Sequence, residues 1–351
     1  MPQKNNKPVF LFFVAAIAII LIAMTVSRKR SSLAYELSFP MNNGVAELSS
    51  NGDSITAACQ DGKFFVWQWV NLLKSPQVLQ LDCDQALMTK TGLAVSIKRL
   101  RPNNIIVTDI NSKKAPLNIS LHSNINRALM TATRDKSTIA VSLAHSSEND
   151  DKEIYQLAIV EPNSGTIKTV TEIKPESITR LFKLAIADNA SVALMTGEKG
   201  KKGWLVLIDI KTGKILWEKQ EPEIERFHSG AFSPDGSIIY ARGSDGNVWK
   251  IETLSGKITG HLKLPFENKK STVGQSSLQE VAVSPDGRIV ASVVFKMLYM
   301  WDAKTGKLIF KVSPGHKIES GLIFSMDGRF AATSALRQGG KIKIWRCPVL
   351  K

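Results

Sequence analysis

AFSPDGSIIYA at 231–241, AVSPDGRIVAS at 282–292 and IFSMDGRFAAT at 323–333 repeat one pattern. An alternating apolar run meets a tight Asp-Gly turn, and a second apolar run follows. Period-two alternation marks β-strands with one buried face. Asp and Gly accept the positive φ that a short hairpin demands. A looser copy, ELSSNGDSITAA, lies at 47–58. Further along each repeat comes a third run containing Trp: KFFVWQW at 63–69, NVWKIE at 247–252, KMLYMWD at 296–302 and KIKIWRC at 341–347. A Thr/Ser-Gly-Lys turn then leads to a fourth run, as in IKTGKILWEK at 210–219, TLSGKITGHLKL at 253–264 and AKTGKLIFKV at 303–312. Four antiparallel strands, here lettered a to d from the centre outward, make one blade of a β-propeller.

The diverged middle of the chain keeps the rhythm. Blades start near residues 45, 81, 125, 178, 225, 277 and 318, and residues 41–347 divide into about 44 residues per blade, inside the ~40–45 of such repeats. The expected fold is all-β, a seven-bladed propeller of four-stranded antiparallel blades over 34–351. Four residues follow Cys347, too few for a strand d in the last blade. The alternating segment AYELSF at 34–39 supplies that strand and closes the ring, removing an open sheet edge.

SPDG at 233–236 and 284–287, Trp301-Asp302, Gly260-His261 and Gly315-His316 resemble the WD-repeat family of propellers. The resemblance implies a structural network of His, hairpin Asp and Trp in each blade. No blade keeps all three. Asp61 with Trp67 and Asp245 with Trp249 lack the Gly-His, whereas His261 with Trp301 and His316 with Trp345 lack the b–c Asp. Asp235, Asp286 and Asp302 are turn-building residues of the same pattern. IDIKTGKILWE at 208–218 is also similar to quinoprotein-like propellers. The WD-repeat resemblance implies a non-enzymatic scaffold that docks other proteins.

Val9–Val26 reads VFLFFVAAIAIILIAMTV, with Thr25 its one polar residue. Eighteen residues at ~1.5 Å each give about 27 Å, near the thickness of a bilayer core. The run meets Arg28-Lys29-Arg30 without an Ala-x-Ala cleavage site, so it reads as an uncleaved anchor and not a signal peptide. The chain then divides into a tail at 1–8, a transmembrane helix at 9–26, a basic linker at 27–33 and the propeller. The tight basic triplet places the propeller in the cytoplasm by the positive-inside rule. Lys4, Lys7 and the terminal amine nearly balance it, which leaves a periplasmic or lumenal placement open.

Catalytic and cofactor spacings are absent: no Gly-x-Ser-x-Gly, His-Glu-x-x-His, Cys-x-x-Cys or Gly-x-Gly-x-x-Gly occurs. No catalytic, cofactor or metal residue is assigned. Cys59 and Cys83 read as buried free thiols on inner strands of neighbouring blades. The remaining signal is charge, 46 Lys+Arg against 31 Asp+Glu. Propeller topology puts a–b and c–d turns on one side, and b–c turns and blade links on the other. The first side collects Lys211, Lys214, Lys304 and Lys307, with Lys90, Lys257, Arg134, Lys136, Arg288 and Arg329. The closing strand starts there, so this side faces the membrane; in a cytoplasmic domain its lysines either meet anionic lipid, at ~1 kcal/mol per charge near the surface, or are plainly solvated turn residues. The opposite side offers Lys98, Arg99, Arg101, Lys199, Lys201, Lys202, Arg337 and Lys341 to partner proteins, with an acidic tip at 148–151. No aromatic platform interleaves these basic tips, which argues against nucleic acid. Two alternatives stand beside the scaffold. One is a quinoprotein- or lactonase-like enzyme, which needs acids and His converging on the central channel. The other is an envelope-assembly propeller on the far side of the membrane.

Overall fold

The computed structural model describes residues 32–38, 45–50, 52–59, 61–81, 83–112, 114–121, 124–147, 150–174, 179–265, 280–294, 297–313, 321–334 and 341–350. Among them the chain forms seven four-stranded antiparallel sheets. Their inner strands lie side by side in a ring, that of the seventh sheet beside that of the first. This is a seven-bladed β-propeller. Blade one runs outward through Val45–Ser50, Ser54–Cys59, Lys63–Gln68 and Gln77–Gln80. The inner strands of the next five blades begin at Gln85, Ile125, Thr179, Phe227 and Val281. Apolar side chains fill the seams between blades, as where Tyr240 of blade five meets Tyr299 and Trp301 of blade six.

Blade seven contributes Leu322–Phe324, Phe330–Ser334 and Lys341–Arg346, and takes its outer strand, Leu33–Ser38, from the other end of the chain. Leu33 pairs with Trp345 and Leu37 with Ile342. Glu36 holds the ammonium groups of Lys341 at 3.0 Å and Lys343 at 3.4 Å. The hydrogen bond from Lys341 leads the effects that keep its carboxyl below the usual range. Leu37 is buried, and the Tyr35 ring meets Phe330 at 6.3 Å between centroids.

The Asp-Gly turns work through side chains. Ser233 Oγ donates to Asp235 at 2.5 Å and accepts the Ile238 N–H at 3.0 Å. Ser284 with Asp286 and Ser325 with Asp327 repeat these bonds. Gly236, Gly287 and Gly328 carry the positive φ of 71°, 72° and 67°. In blades three and four that position falls to Lys136 and Ala190, at 57° and 54°.

Four inner strands carry a bulge near their start. The register shifts between Val45 and Glu47, Ile125 and Arg127, Leu181 and Lys183, and Phe227 and Ser229. A bulge re-aims the side chain beside it. In blades one and four this presents Glu47 and Lys183 to the central channel. The sequence segment 9–26, with Arg28, Lys29 and Arg30, lies outside the described residues. Among those described, no helix is long and apolar enough to cross a membrane.

Candidate functional site

The inner strands of all seven blades surround a channel with a cavity of about 230 Å³. Its charges join residues remote in sequence. Lys183 Nζ of blade four lies 2.8 Å from Glu280, which leads into blade six, and 3.5 Å from Glu47 of blade one. Glu47 also holds Arg99, from the b–c turn of blade two, at 3.2 Å. The second oxygen of Glu280 accepts the Leu322 N–H of blade seven at 3.0 Å. One charge-assisted network thus ties five blades. Burial works to lower the Lys183 pKa, but Glu280 and Glu47 together lift it above the ordinary lysine value.

The a–b end of the channel holds a second group. Arg134 donates its backbone N–H to Asp188 at 3.0 Å and places its guanidinium 3.4 Å from the same carboxylate. Lys136 lines the cavity beside them. Burial brings its ammonium down to about 8, against the attraction of Glu47 and Asp188.

The proposed partner side divides on inspection. Arg99 belongs to the channel network, Lys199 is bound by Glu218 at 2.9 Å, and Lys341 by Glu36. These three are committed inside the molecule: Arg99 to a carboxylate of the neighbouring blade, Lys341 to one on the adjoining strand, and Lys199 to one two strands away in its own blade. Lys98, Arg101, Lys201 and Lys202 are exposed. Arg101 and Lys201 hold positive φ, 48° and 62°, at their tips. Arg337 and His316 lie outside the described residues, as do positions 148 and 149 of the acidic tip.

The His, Asp and Trp side chains that the resemblance groups together have other partners in the structure. His261 sits in the outer strand of blade five and lies against Trp249 of that blade, ring centroids 5.3 Å apart, instead of serving blade six. Trp249 Nε1 donates to Asp245 at 3.1 Å. Trp301 donates to the Lys263 carbonyl, and Trp345 to Thr333 Oγ1. Asp61 holds Lys63, and Trp67 stacks on Phe65. Cys59 closes the second strand of blade one and Cys83 lies in a blade link, so neither is on an inner strand; both are buried and neither forms a disulfide.

Lys211, Lys214, Lys304 and Lys307 are exposed on c–d turns. They share that side with carboxylates that a tally of lysines overlooks. Asp209 and Asp302 are held below the usual carboxylate range by Thr212 and Thr305, while Asp235, Asp286 and Asp327 occupy the a–b turns. These carboxylates offset part of the lysine charge, so the attraction of this side to anionic lipid is weaker than the lysines alone imply. Its apolar content is the stronger feature. Of ten large apolar side chains exposed among the described residues, Leu100 alone sits at a b–c turn. Val70 and Leu73, 95% and 85% exposed, project from the c–d connection of blade one. Leu254 occupies a c–d turn, and Val349 follows strand c of blade seven.

Sequence reasoning missed the channel charges and the buried pair at the b–c end of blade five. There Arg242 is fully buried, bonded to the Gly243 carbonyl. Burial, then Arg242 and Arg226, brings neighbouring His228 down to about 3. The unfolded chain therefore takes up this proton first as pH falls below about 6.5. Stability should decline from pH 6.5 to 5, and His228→Asn should flatten that slope in thermal melts. A charge placed amid apolar alternation, as in VAELSS and LFKLAI, was the available signal.

Comparison with protein-family models gives no match for this chain, and comparison with curated proteins gives none.

Proposed function

We propose that this chain is a membrane-tethered, WD-repeat-like propeller that docks other proteins on its b–c side and catalyses no reaction. The observation that carries the reading is the coincidence of chain entry and apolar exposure. Strand Leu33–Ser38 takes the d position, so it starts on the a–b/c–d side, within seven residues of the apolar run at 9–26. Val70, Leu73, Leu254 and Val349 are exposed on that side. Apolar residues rimmed by lysines suit the headgroup boundary of a bilayer. The opposite side then stands free, with Lys98, Arg101, Lys201 and Lys202 to steer an encounter with a protein.

The channel carboxylates bear on the enzyme alternative. Three converge there, Glu47, Glu280 and Asp188, but each is ion-paired to Lys183, Arg99 or Arg134. A paired carboxylate makes a poor general acid or base at neutral pH. This supports the scaffold.

Four measurements on the full chain test the reading. Single cysteines carrying an environment-sensitive fluorophore at Val70, Leu73 and Leu100 would be compared in vesicles. Positions 70 and 73 should shift to the blue and be quenched by nitroxide lipids, with position 100 unaffected. Equal water exposure at all three rejects the membrane-facing side, and extraction of the chain by alkaline carbonate rejects the anchor. A photocrosslinker at Lys202 should give discrete protein adducts in cells, and one at Lys211 should not. The reverse pattern overturns the docking assignment. Protease protection in sealed vesicles decides between the cytoplasmic scaffold and the assembly reading.

A further inference from the structure

The Lys136 ammonium stands apart from the other channel charges. Asp188 is held by Arg134, and Asp135 accepts from Thr133, the Ser137 N–H and the Ser137 hydroxyl within its own turn. Glu47 is shared between Arg99 and Lys183, and Glu280 between Lys183 and the Leu322 N–H. Among the described residues no carboxylate lies within ion-pair distance of Lys136. Three cations line the cavity, Arg134, Lys136 and Lys183, with three carboxylates, Glu47, Asp188 and Glu280, and of these cations Lys136 alone has no carboxylate at ion-pair distance among the described residues.

A second observation concerns the backbone. Lys136 occupies the left-handed turn position at φ 57° where blades five, six and seven have glycine. A side chain there is disfavoured. Ala190 shows that the position tolerates a small one. Lysine adds a long cationic arm, and the turn directs it to the cavity that Arg134 also lines. The inner strands are sheet edges, so their outward N–H groups also face the channel. Donors arranged around a ring suit an anion whose oxygens point several ways more than a planar carboxylate.

We propose that the a–b mouth of the channel binds a phosphate-type oxyanion between the Lys136 ammonium and the Arg134 guanidinium. The inference goes beyond the docking role and does not depend on it. Its anion could reach the mouth as free phosphate from solution or as a phospholipid headgroup from the bilayer on that side. The charged groups facing Lys136 are Glu47 of blade one, Asp188 of blade four, and Arg134 and Asp135 of its own turn. Occupancy should fall as pH rises past the ammonium's depressed value of about 8.

The test uses the full chain in a neutral maltoside detergent, titrated by calorimetry with inorganic phosphate and, separately, with short-chain phosphatidic acid. Lys136→Met should weaken binding at least tenfold. Lys90→Met, an exposed turn lysine on the same side, should leave it unchanged. Binding by the unaltered chain should weaken between pH 7 and 9. In that chain, bound anion should also slow acetylation of Lys136 and not of Lys90, a readout that survives any folding defect of the variant. Binding of inorganic phosphate identifies a soluble ligand, and binding of phosphatidic acid alone identifies a headgroup. If neither protects Lys136, or if Lys136→Met binds as tightly as the unaltered chain, the proposal is overturned. The fluorophore shifts at Val70 and Leu73 would be untouched by that result, so the two readings fail separately.

Discussion

Replacing Leu33–Ser38 with a glycine-serine segment of equal length lowers the melting temperature by at least ~10 °C, or leaves the chain aggregated. The replacement leaves the rest of the chain unchanged and removes the fourth strand of blade seven. Three contributions vanish together. Leu37, 6% exposed, leaves the seam it fills with Ile342, Val45 and Leu48. Losing a buried leucine side chain costs about 2–5 kcal/mol by itself. The ladder to Lys341–Arg346 goes, and that strand becomes an open edge able to pair with another molecule. Glu36 no longer separates Lys341 from Lys343. Leu37→Ala isolates the first contribution and should shift the midpoint by several degrees, at roughly 2–4 °C per kcal/mol. An unchanged melting curve in the full replacement would show that the ring does not depend on this closure.

Lys183→Met carries the next largest effect. It removes the cation between Glu280 and Glu47 and leaves two carboxylates facing one channel. Breaking a buried pair costs about 3–5 kcal/mol, since the abandoned charge stays desolvated. The Lys183 side chain is 24% exposed, against 11% and 15% for Glu47 and Glu280, which places the expected loss near 3 kcal/mol. Glu280→Gln added to Lys183→Met should recover part of it, because a glutamine oxygen still accepts the Leu322 N–H. The pH dependence gives a second check. The folded pKa of Lys183 is raised, so its stabilisation is complete below the unfolded lysine value of ~10.4 and is lost as pH climbs through the folded value. The unaltered chain should show that alkaline loss and Lys183→Met should not. Equal losses in both would remove Lys183 as the keystone of the network.

The blades were legible because their signals are local. Asp235-Gly236 and Asp286-Gly287 mark hairpins through the bonds they make with Ser233 and Ser284 a few residues away. The need for a closing strand was legible from the shortage of chain after Cys347. The channel site was not legible, and the bulges explain why. In blades one and four the buried residues Val45 and Leu48, and Leu181 and Leu184, stand three apart. A period-two template has no place for that spacing, so it gives Glu47 and Lys183 no position in the channel. Lys136 read as one more turn lysine, because a sequence does not say which a–b turns lean into the channel. Arg99, Lys199 and Lys341 read as free tips because their partners come from other strands and other blades. Counting lysines on the a–b and c–d turns without the aspartates that shape those turns overstated the charge.

Arg346 donates to the carbonyl of Leu33 across 313 positions of the chain. A ribosome adding ~5–20 residues per second needs roughly 15–60 s to span that separation. Throughout that interval the nascent Leu33–Ser38 segment has no native partner to receive it. The thermodynamic penalty of so distant a join is modest, since loop entropy grows by only ~0.6 kcal/mol per doubling of length. The delay is a matter of kinetics, and it leaves an alternating, pairing-competent strand exposed beside the growing chain. A protein closed in this way depends during synthesis on whatever keeps its first strand unengaged until its last one emerges.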